Sequence, residues 1–174
     1  GLGYREKKVD GLTDKDLIGV PWRLAFELQK RGWILRSDII WAKLNPMPES
    51  CKDRPTMSHE HIFLFAKNQR YYYDHESIME RTVGVEYPKR NKRDVWNIKV
   101  ASYPEAHCAT FPMELITPCI KAGSPEGGLV LDPFMGSGTV AQAAKQLSRK
   151  YTGCELNPDY YKIINNRLKQ QELF

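Results

Sequence analysis

The sequence predicts an α/β protein built on a largely parallel sheet, and three observations carry this prediction. The apolar run at residues 129–131 is followed by a glycine-containing turn at 136–138 and then by an alanine-rich stretch. A second apolar run ends in the acidic residue Glu155. This order of strand, glycine turn, helix, strand and acid is how an α/β sheet holds an adenosine-containing cofactor. Too few residues follow Thr139 to build the rest of a sheet, so we expect the remaining strands upstream.

Length and composition predict one globular domain. The chain has 174 residues, of which 41% are hydrophobic and 27% charged, enough apolar material for one sizeable core. No apolar run approaches the roughly 18 residues of a membrane span. The four cysteines, which show no CxxC spacing, are Cys51, Cys108, Cys119 and Cys154. We therefore expect reduced thiols in a cytosolic protein, with no metal site and no membrane partner.

The first elements are a helix and a strand. Apolar residues recur with helical spacing over 17–30, and the polar run at 13–16 resembles a helix N-cap with acids in the first turn. Pro21 lies inside this pattern, so the helix is expected either to bend or to begin late, near Val20. The apolar run 33–41 predicts a strand, and the two prolines within 45–50 predict a loop.

The next part of the chain predicts a hairpin and a long excursion. The continuous apolar run 61–66 predicts a buried strand, and 71–74 are expected to pair with it across a turn at 67–70. Residues 75–106 are polar and show no sustained period, so we interpret them as a surface loop of the kind that is usually functional. Four cations cluster there, Lys89, Arg90, Lys92 and Arg93. Charge alone leaves open whether they form a solvated loop or contact a phosphate backbone.

The last third of the chain alternates helices with strands. Helices are predicted over 111–122, 139–147 and 158–170, and strands over 129–131 and 151–155. Asn157 is a plausible N-cap for the last helix, with Pro158 at its first position.

The turn between the first of these strands and its helix has the chemistry of a nucleoside site. Gly136 and Gly138 allow positive φ and leave room for a ligand near the backbone. The following helix offers unpaired N–H groups. Glu155 lies where a carboxylate can accept hydrogen bonds from two ribose hydroxyls.

Two nucleoside cofactors compete for this loop. The spacing GxGxxA over 136–141 fits a loose dinucleotide fingerprint and therefore NAD. NAD binding, however, would call for further strands downstream of Glu155. Asp132 would repel a pyrophosphate but attract the ammonium group of a methionine moiety. The residues therefore favour S-adenosylmethionine.

The motifs resemble the β-class amino-methyltransferases of DNA, which methylate N6 of adenine or N4 of cytosine. The run DPFMGSGT at 132–139 looks like the cofactor motif of that family, and CELNPDYY at 154–161 is similar to its ribose-binding segment. HCATFPMELI at 107–116 resembles the segment that completes the cofactor pocket. WAKLNPMPES at 41–50 and RPTMSHEH at 54–61 resemble segments that follow the catalytic motif.

The resemblance implies a fold, a cofactor and a substrate. The fold is a Rossmann-like methyltransferase sheet of seven strands, circularly permuted so that the cofactor half comes last. The domain then divides into 1–74 as part of the catalytic half, 75–106 as a DNA-facing excursion that carries the basic cluster, and 107–174 as the cofactor half. Asp132 binds the methionine part of S-adenosylmethionine and Phe134 packs beside it. The full cofactor set is Thr110, Phe111, Pro112, Asp132, Pro133, Phe134, Gly136, Gly138, Thr139, Glu155 and Asn157.

The resemblance also implies a place in the cell and a partner. It points to a restriction-modification methyltransferase of a bacterium, an archaeon or a phage, acting on duplex DNA in the cytoplasm. Methylation of an exocyclic amine uses a tetrapeptide of the type Asp/Asn/Ser-Pro-Pro-Tyr/Phe, which accepts the amino hydrogens and stacks on a flipped base.

No run in this chain matches that tetrapeptide. The sequence NPDY at 157–160 is one residue away from it but follows the ribose-binding acid, where an Asn-Pro pair caps a helix. NPMP at 45–48 lacks the aromatic residue. We therefore assign no catalytic residue in this chain and expect a sheet that is incomplete at its N-terminus. The exposed edge would invite a second copy or a completing chain. Two hypotheses follow: the intact enzyme methylates DNA, or this chain is an inactive fragment or subunit that binds only cofactor, DNA or both. We also expect the isolated chain to be a dimer that methylates nothing.

Overall fold

The computed structural model describes residues 11–82, 84, 89–100 and 111–170. The helices and strands are α1 (Val20–Lys30), β1 (Ile34–Lys43), β2 (His59–Ala66), a 3₁₀ helix (Glu76–Ile78), β3 (Glu80–Arg81), β4 (Lys89–Arg90), β5 (Val95–Ile98), α2 (Met113–Gly123), β6 (Leu129–Asp132), α3 (Thr139–Gln146), β7 (Lys150–Gly153) and α4 (Pro158–Gln170). The α/β class is as predicted. None of the described helices is long and apolar enough to cross a membrane.

Helix α1 shows the late start that Pro21 favours. The helix begins at Val20 after Gly19, whose φ is 67°. The predicted cap at 13–16 is wrong, because the Asp16 carboxylate accepts the Thr13 N–H, at 2.7 Å, in a turn ahead of the helix. Trp22 of α1 packs edge-on against Phe63 of β2, with 5.0 Å between ring centroids, and so covers one face of the first sheet.

The first sheet has the strand order β2-β1-β5. β1 pairs with β2 in antiparallel register, Ile34 opposite Ala66 and Ala42 opposite His59. The predicted hairpin of 71–74 with the strand at 61–66 is therefore wrong. The Tyr71 hydroxyl accepts the Nε–H of Arg36 at 2.9 Å, and the Asp74 N–H donates to the Ala122 carbonyl at 2.9 Å. Residues 71–74 thus run between β1 and α2.

The excursion at 75–106 contains part of the core, which corrects the prediction of a surface loop. β5 lies parallel to β1, with Trp96 opposite Trp41. Trp96 and Ile98 are 5% and 6% exposed. The Trp41 indole N–H donates to the Ile98 carbonyl at 2.9 Å. The alternation in this strand covers only four residues, too few to stand out from its polar surroundings.

β3 and β4 form a separate two-stranded antiparallel sheet. The third sheet consists of β6 and β7, which are parallel and joined by α3. Helix α2 links the first sheet to the third. Its Leu115 packs in the cluster of Trp41, Trp96 and Ile98, while its Ile120 packs with Val140, Ala143 and Ala144 of α3. Parallel pairs thus occur in the first and third sheets, while the longest pairing, β1 with β2, is antiparallel.

Candidate functional site

The glycine turn joins β6 to α3 with two residues in the left-handed region. Gly136 has φ 51° and Gly138, the N-cap of α3, has φ 81°. The Gly138 N–H donates to the Met135 carbonyl at 2.8 Å, which closes the turn. A Cβ on Gly138 would lie 3.1 Å from Cγ1 of Ile164 in α4. Both the backbone angle and the packing of α4 therefore require glycine at this position.

Asp132 ends β6 and shapes the start of this turn. Its Oδ1 accepts the Phe134 N–H at 3.0 Å, and its carbonyl accepts the Cys154 N–H at 3.0 Å. The first bond places a carboxylate at the carboxyl end of a parallel strand, the edge at which α/β sheets bind ligands.

Glu155 joins the end of β7 to the glycine turn. Its Oε2 accepts the Gly136 N–H at 2.7 Å, and its Oε1 accepts the Asn157 N–H at 2.8 Å. The donors at Asn157 and Gly136 lower the pKa of the Glu155 carboxyl below its ordinary value. The structure thus brings Gly136 and Glu155 into direct contact and keeps an ionised carboxylate beside the turn.

Asn157 caps the start of α4. Its side-chain oxygen accepts the Asp159 N–H at 3.0 Å, and its carbonyl accepts the Tyr160 N–H at 3.1 Å. The sequence NPDY is therefore a helix start, as the sequence interpretation held.

Two large apolar side chains project into solvent, one in the turn after β6 and one directly after Glu155. Phe134 is 87% exposed, and Leu156, which the sequence analysis did not single out, is 99% exposed. Single exposed apolar residues are ordinary, but two beside one nucleoside-type loop offer a surface on which a flat ring can pack.

Phe111 and Pro112, which also belong to the predicted cofactor set, lie apart from the glycine turn in the contacts that the structure describes. They immediately precede α2, where the Pro112 carbonyl accepts the Leu115 N–H. Their packing against the cofactor stays a prediction, and Thr110 lies outside the described residues.

Gly153 is a site residue that the sequence analysis missed. It lies opposite Asp132 in the β6–β7 ladder. A Cβ at this position would lie 2.6 Å from the Asp132 carbonyl oxygen and 2.7 Å from the Met135 side chain. A glycine in a strand marks such close approaches, and this signal was available.

Three of the four cations of the basic cluster contact one acid, Glu80 of β3. The Glu80 carboxylate lies 3.2 Å from Arg90, 3.0 Å from Arg93 and 3.9 Å from Lys92. Burial opposes ionisation of Glu80, but hydrogen bonds from Arg93 and Arg90 outweigh it and lower its pKa. The Lys92 ammonium also lies over the Trp96 ring, 4.8 Å from its centroid. Arg90, Lys92 and Arg93 thus surround one carboxylate. Lys89, Arg90 and Arg93 are exposed.

The Glu155 contacts predict a pH dependence of stability. A carboxyl whose pKa is lowered by folding stabilises the fold fully above its ordinary pKa, which is 4.5 for Glu155. That contribution is lost as the pH falls through the lowered value. The Glu155→Gln variant should therefore unfold at a lower temperature than the native chain above pH 4.5, and the difference should shrink below it. Asp14→Asn, at an exposed position, is the control. A difference between Glu155→Gln and the native chain that does not change with pH would contradict this.

A family model described as DNA methylase, of the N6/N4 type, matches residues 4–166. The methyltransferase M.Cfr9I of Citrobacter freundii is 52% identical over 98% of this chain and 56% of its own length. M.SmaI of Serratia marcescens is 52% identical over 96% of this chain and 57% of its own length. The chain thus spans little more than half the length of these relatives.

Solved structures share the fold. The M1.HpyAVI–SAM complex superposes with a TM-score of 0.67 at 26% identity, over 88% of this chain and 71% of that one. The PvuII DNA methyltransferase, described as cytosine-N4-specific, superposes with a TM-score of 0.71 at 22% identity, over 84% of this chain and 56% of that one. The second likeness shows the Rossmann-like methyltransferase fold alone.

Proposed function

The chain belongs to the N6/N4 DNA methylase family, and on that premise we propose that it forms the cofactor-binding part of a DNA amino-methyltransferase. The intact enzyme transfers a methyl group from S-adenosylmethionine to N6 of adenine or N4 of cytosine in duplex DNA. We also propose that it acts in the cytoplasm of a bacterium or archaeon, or of a phage-infected cell, within a restriction-modification system, since the two relatives named above are type II methyltransferases.

The observation that carries this proposal is the paired carboxylate arrangement at one sheet edge. Asp132 ends β6, Glu155 follows the neighbouring parallel strand β7, and both are bonded to the backbone of the same turn. Glu155 fits the ribose hydroxyls, Asp132 fits the methionine ammonium, and the exposed faces of Phe134 and Leu156 fit the adenine. A pyrophosphate would meet repulsion from Asp132, which favours S-adenosylmethionine over NAD. When bound, S-adenosylmethionine supplies an electrophilic methyl group on a sulfonium.

The groups that activate the target amine belong to another polypeptide segment in this proposal. An exocyclic amine is a poor nucleophile, and no residue run in this chain matches the tetrapeptide that accepts its hydrogens. We propose that strands bearing that tetrapeptide complete the sheet beside β6, from the same protein or from a separate chain.

The unpaired strand edges support this proposal. Within the described residues β6 pairs only with β7, and β2 only with β1, so each keeps an unpaired edge. Leu129 and Leu131 of β6 are 66% and 64% exposed, although strands of parallel sheets are normally covered on both faces. Such an edge attracts another strand.

Two pockets lie beside α2. The first is lined by residues of the first sheet, among them Ile62 and Leu64 of β2, and the second by all of β6. Cys119 and Gly123 of α2 line both pockets. Burial raises the pKa of Cys119 to about 11, so its thiol stays protonated and behaves as a small apolar group. The pocket along β6 leaves room beside this strand for a completing segment.

Binding and transfer assays on the same preparations test the proposed function. We expect the chain to bind S-adenosylhomocysteine in calorimetric titrations, and NAD should not displace this ligand. On its own, the chain should transfer no labelled methyl to duplex DNA. A protein that also carries the upstream segment should transfer methyl to an amino nitrogen. Displacement by NAD would favour an oxidoreductase. Binding without transfer in the longer protein would favour a binding-only role. A dimer in sedimentation would show that a second copy covers the open edge, without supplying the tetrapeptide.

The basic cluster is the proposed DNA contact, and Arg93 is its most exposed arginine. Arg93→Gln should weaken duplex DNA binding and reduce the slope of log affinity against log salt by about 0.9, the value for one lost phosphate contact. Arg31→Gln is a matched control, because Arg31 is 72% exposed, Arg93 is 65% exposed and each is bonded to a glutamate. Equal salt slopes for the native chain and Arg93→Gln, measured by fluorescence anisotropy, would remove Arg93 from the DNA interface.

A further inference from the structure

Arg167 of α4 reaches into the glycine turn. Its Nη1 lies 2.9 Å from the Ser137 carbonyl oxygen, 2.8 Å from the Ser137 hydroxyl and 3.4 Å from the Thr139 hydroxyl. Its Nη2 donates to the Gln142 side-chain oxygen at 2.7 Å. Ser137 and Thr139 are 3% and 5% exposed, so these bonds are shielded from water. One guanidinium thus joins both sides of Gly138 to the first turn of α3.

The turn needs such a restraint because its glycines have many accessible conformations. Gly136 and Gly138 lose more backbone entropy on ordering than any other residue type would. Glu155 restrains the first of them through its N–H. Arg167 restrains the residues on either side of the second. We infer that Arg167 is a positioning residue that holds the glycine turn in the conformation that receives the cofactor.

The chemistry of the contacts distinguishes this role from ordinary packing of α4. The acceptors described above are neutral oxygens, and they lie at the N-terminal end of α3, where a cation is unfavourable for the helix itself. Packing between α3 and α4 is already supplied by Ala141, Ile164 and Leu168, and by the Lys145 ammonium bonded to the Leu168 carbonyl. A planar guanidinium group, with several N–H donors in fixed directions, is suited to bridging several acceptors at once.

Arg149 provides a matched control within the same half of the chain. Its side chain is 8% exposed, and its guanidinium donates to the Ser124 carbonyl at 2.8 Å and to the Leu147 carbonyl at 2.5 Å. Arg149 therefore anchors backbone as Arg167 does, but its acceptors lie outside the glycine turn. Loss of either arginine should lower stability, whereas only loss of Arg167 should change the turn.

The test compares Arg167→Gln and Arg167→Lys with Arg149→Gln. Amide hydrogen exchange of Gly136 and Gly138, measured under native conditions, should speed up about tenfold in Arg167→Gln, as expected for loss of charge-assisted hydrogen bonds. In Arg167→Lys, which keeps the charge but loses the planar guanidinium group, the two amides should exchange at nearly the same raised rate. Arg149→Gln should leave these two amides unchanged relative to the rest of the chain. Calorimetric affinity for S-adenosylhomocysteine should fall with the same ranking.

The two readouts separate the inference from the proposed function. Unchanged exchange at Gly136 and Gly138 in both Arg167 variants would overturn the positioning role, even if cofactor binds. Raised exchange in a chain that binds no S-adenosylhomocysteine would keep the restraint and overturn the proposed cofactor. Equal effects of Arg167→Gln and Arg149→Gln on the two amides would reduce Arg167 to a general stabilising residue and overturn the inference.

Discussion

Replacing Gly153 by alanine is expected to lower affinity for S-adenosylhomocysteine by about tenfold or more and to destabilise the chain by about 1–3 kcal/mol. The added Cβ would lie 2.6 Å from the Asp132 carbonyl oxygen, a backbone atom that cannot rotate away. That carbonyl accepts the Cys154 N–H, and the Met135 N–H donates to the Cys154 carbonyl. Moving β7 away from β6 therefore displaces Asp132 and the start of the glycine turn together.

Gly123→Ala is the control for the Gly153→Ala variant. Nothing lies within 4 Å of a Cβ built at Gly123, and this residue ends α2. Alanine is favoured over glycine in a helix by about 1 kcal/mol, so this variant should be neutral or more stable. Thermal unfolding and calorimetric titration measure both variants. Native affinity in Gly153→Ala would show that the turn is not held by the β6–β7 contact.

The cofactor half could be predicted because its signals are local. β6, the turn, α3 and β7 follow from apolar runs, glycines and an alanine-rich stretch, all within the 27 positions 129–155. The contact between Gly136 and Glu155 follows from parallel strands that end at the same edge of a sheet. Residue types and short spacings were therefore sufficient there.

The first half was less predictable because its pairings are distant in the sequence. A continuous apolar strand such as β2 carries no mark of its partner, and the nearest apolar run, at 71–74, was the natural but wrong choice. β5 joins β1 across more than fifty residues, and only Trp96 and Ile98 show its buried face. Side chains that act over long separations, such as Arg167 and Glu80, leave no spacing signal at all. Their partners are backbone oxygens, side-chain oxygens or charges placed by the fold.

The second large effect is expected for a charged substitution on β6, the strand with an open edge. Leu131→Glu is expected to abolish methyl transfer by a protein that carries the upstream segment, while leaving the unfolding temperature of the present chain nearly unchanged. The side chain is 64% exposed in this chain, so a carboxylate there stays hydrated. If the completing segment also covers this face of β6, the same carboxylate would be buried without a partner, which costs several kcal/mol per charge. Strand addition beside β6 would then fail, and with it the placement of the catalytic tetrapeptide.

Leu17→Glu makes the same chemical change at a side chain that is 78% exposed and precedes α1. Methyl transfer by Leu17→Glu should match that of the native protein, and both variants should bind S-adenosylhomocysteine as the native chain does. Because binding is kept while transfer is lost, the pair of measurements separates sheet completion from damage to the cofactor site. Full methyl transfer by Leu131→Glu would show that the catalytic strands lie elsewhere than beside β6. Loss of binding in the same variant would show instead that Leu131 supports the glycine turn directly.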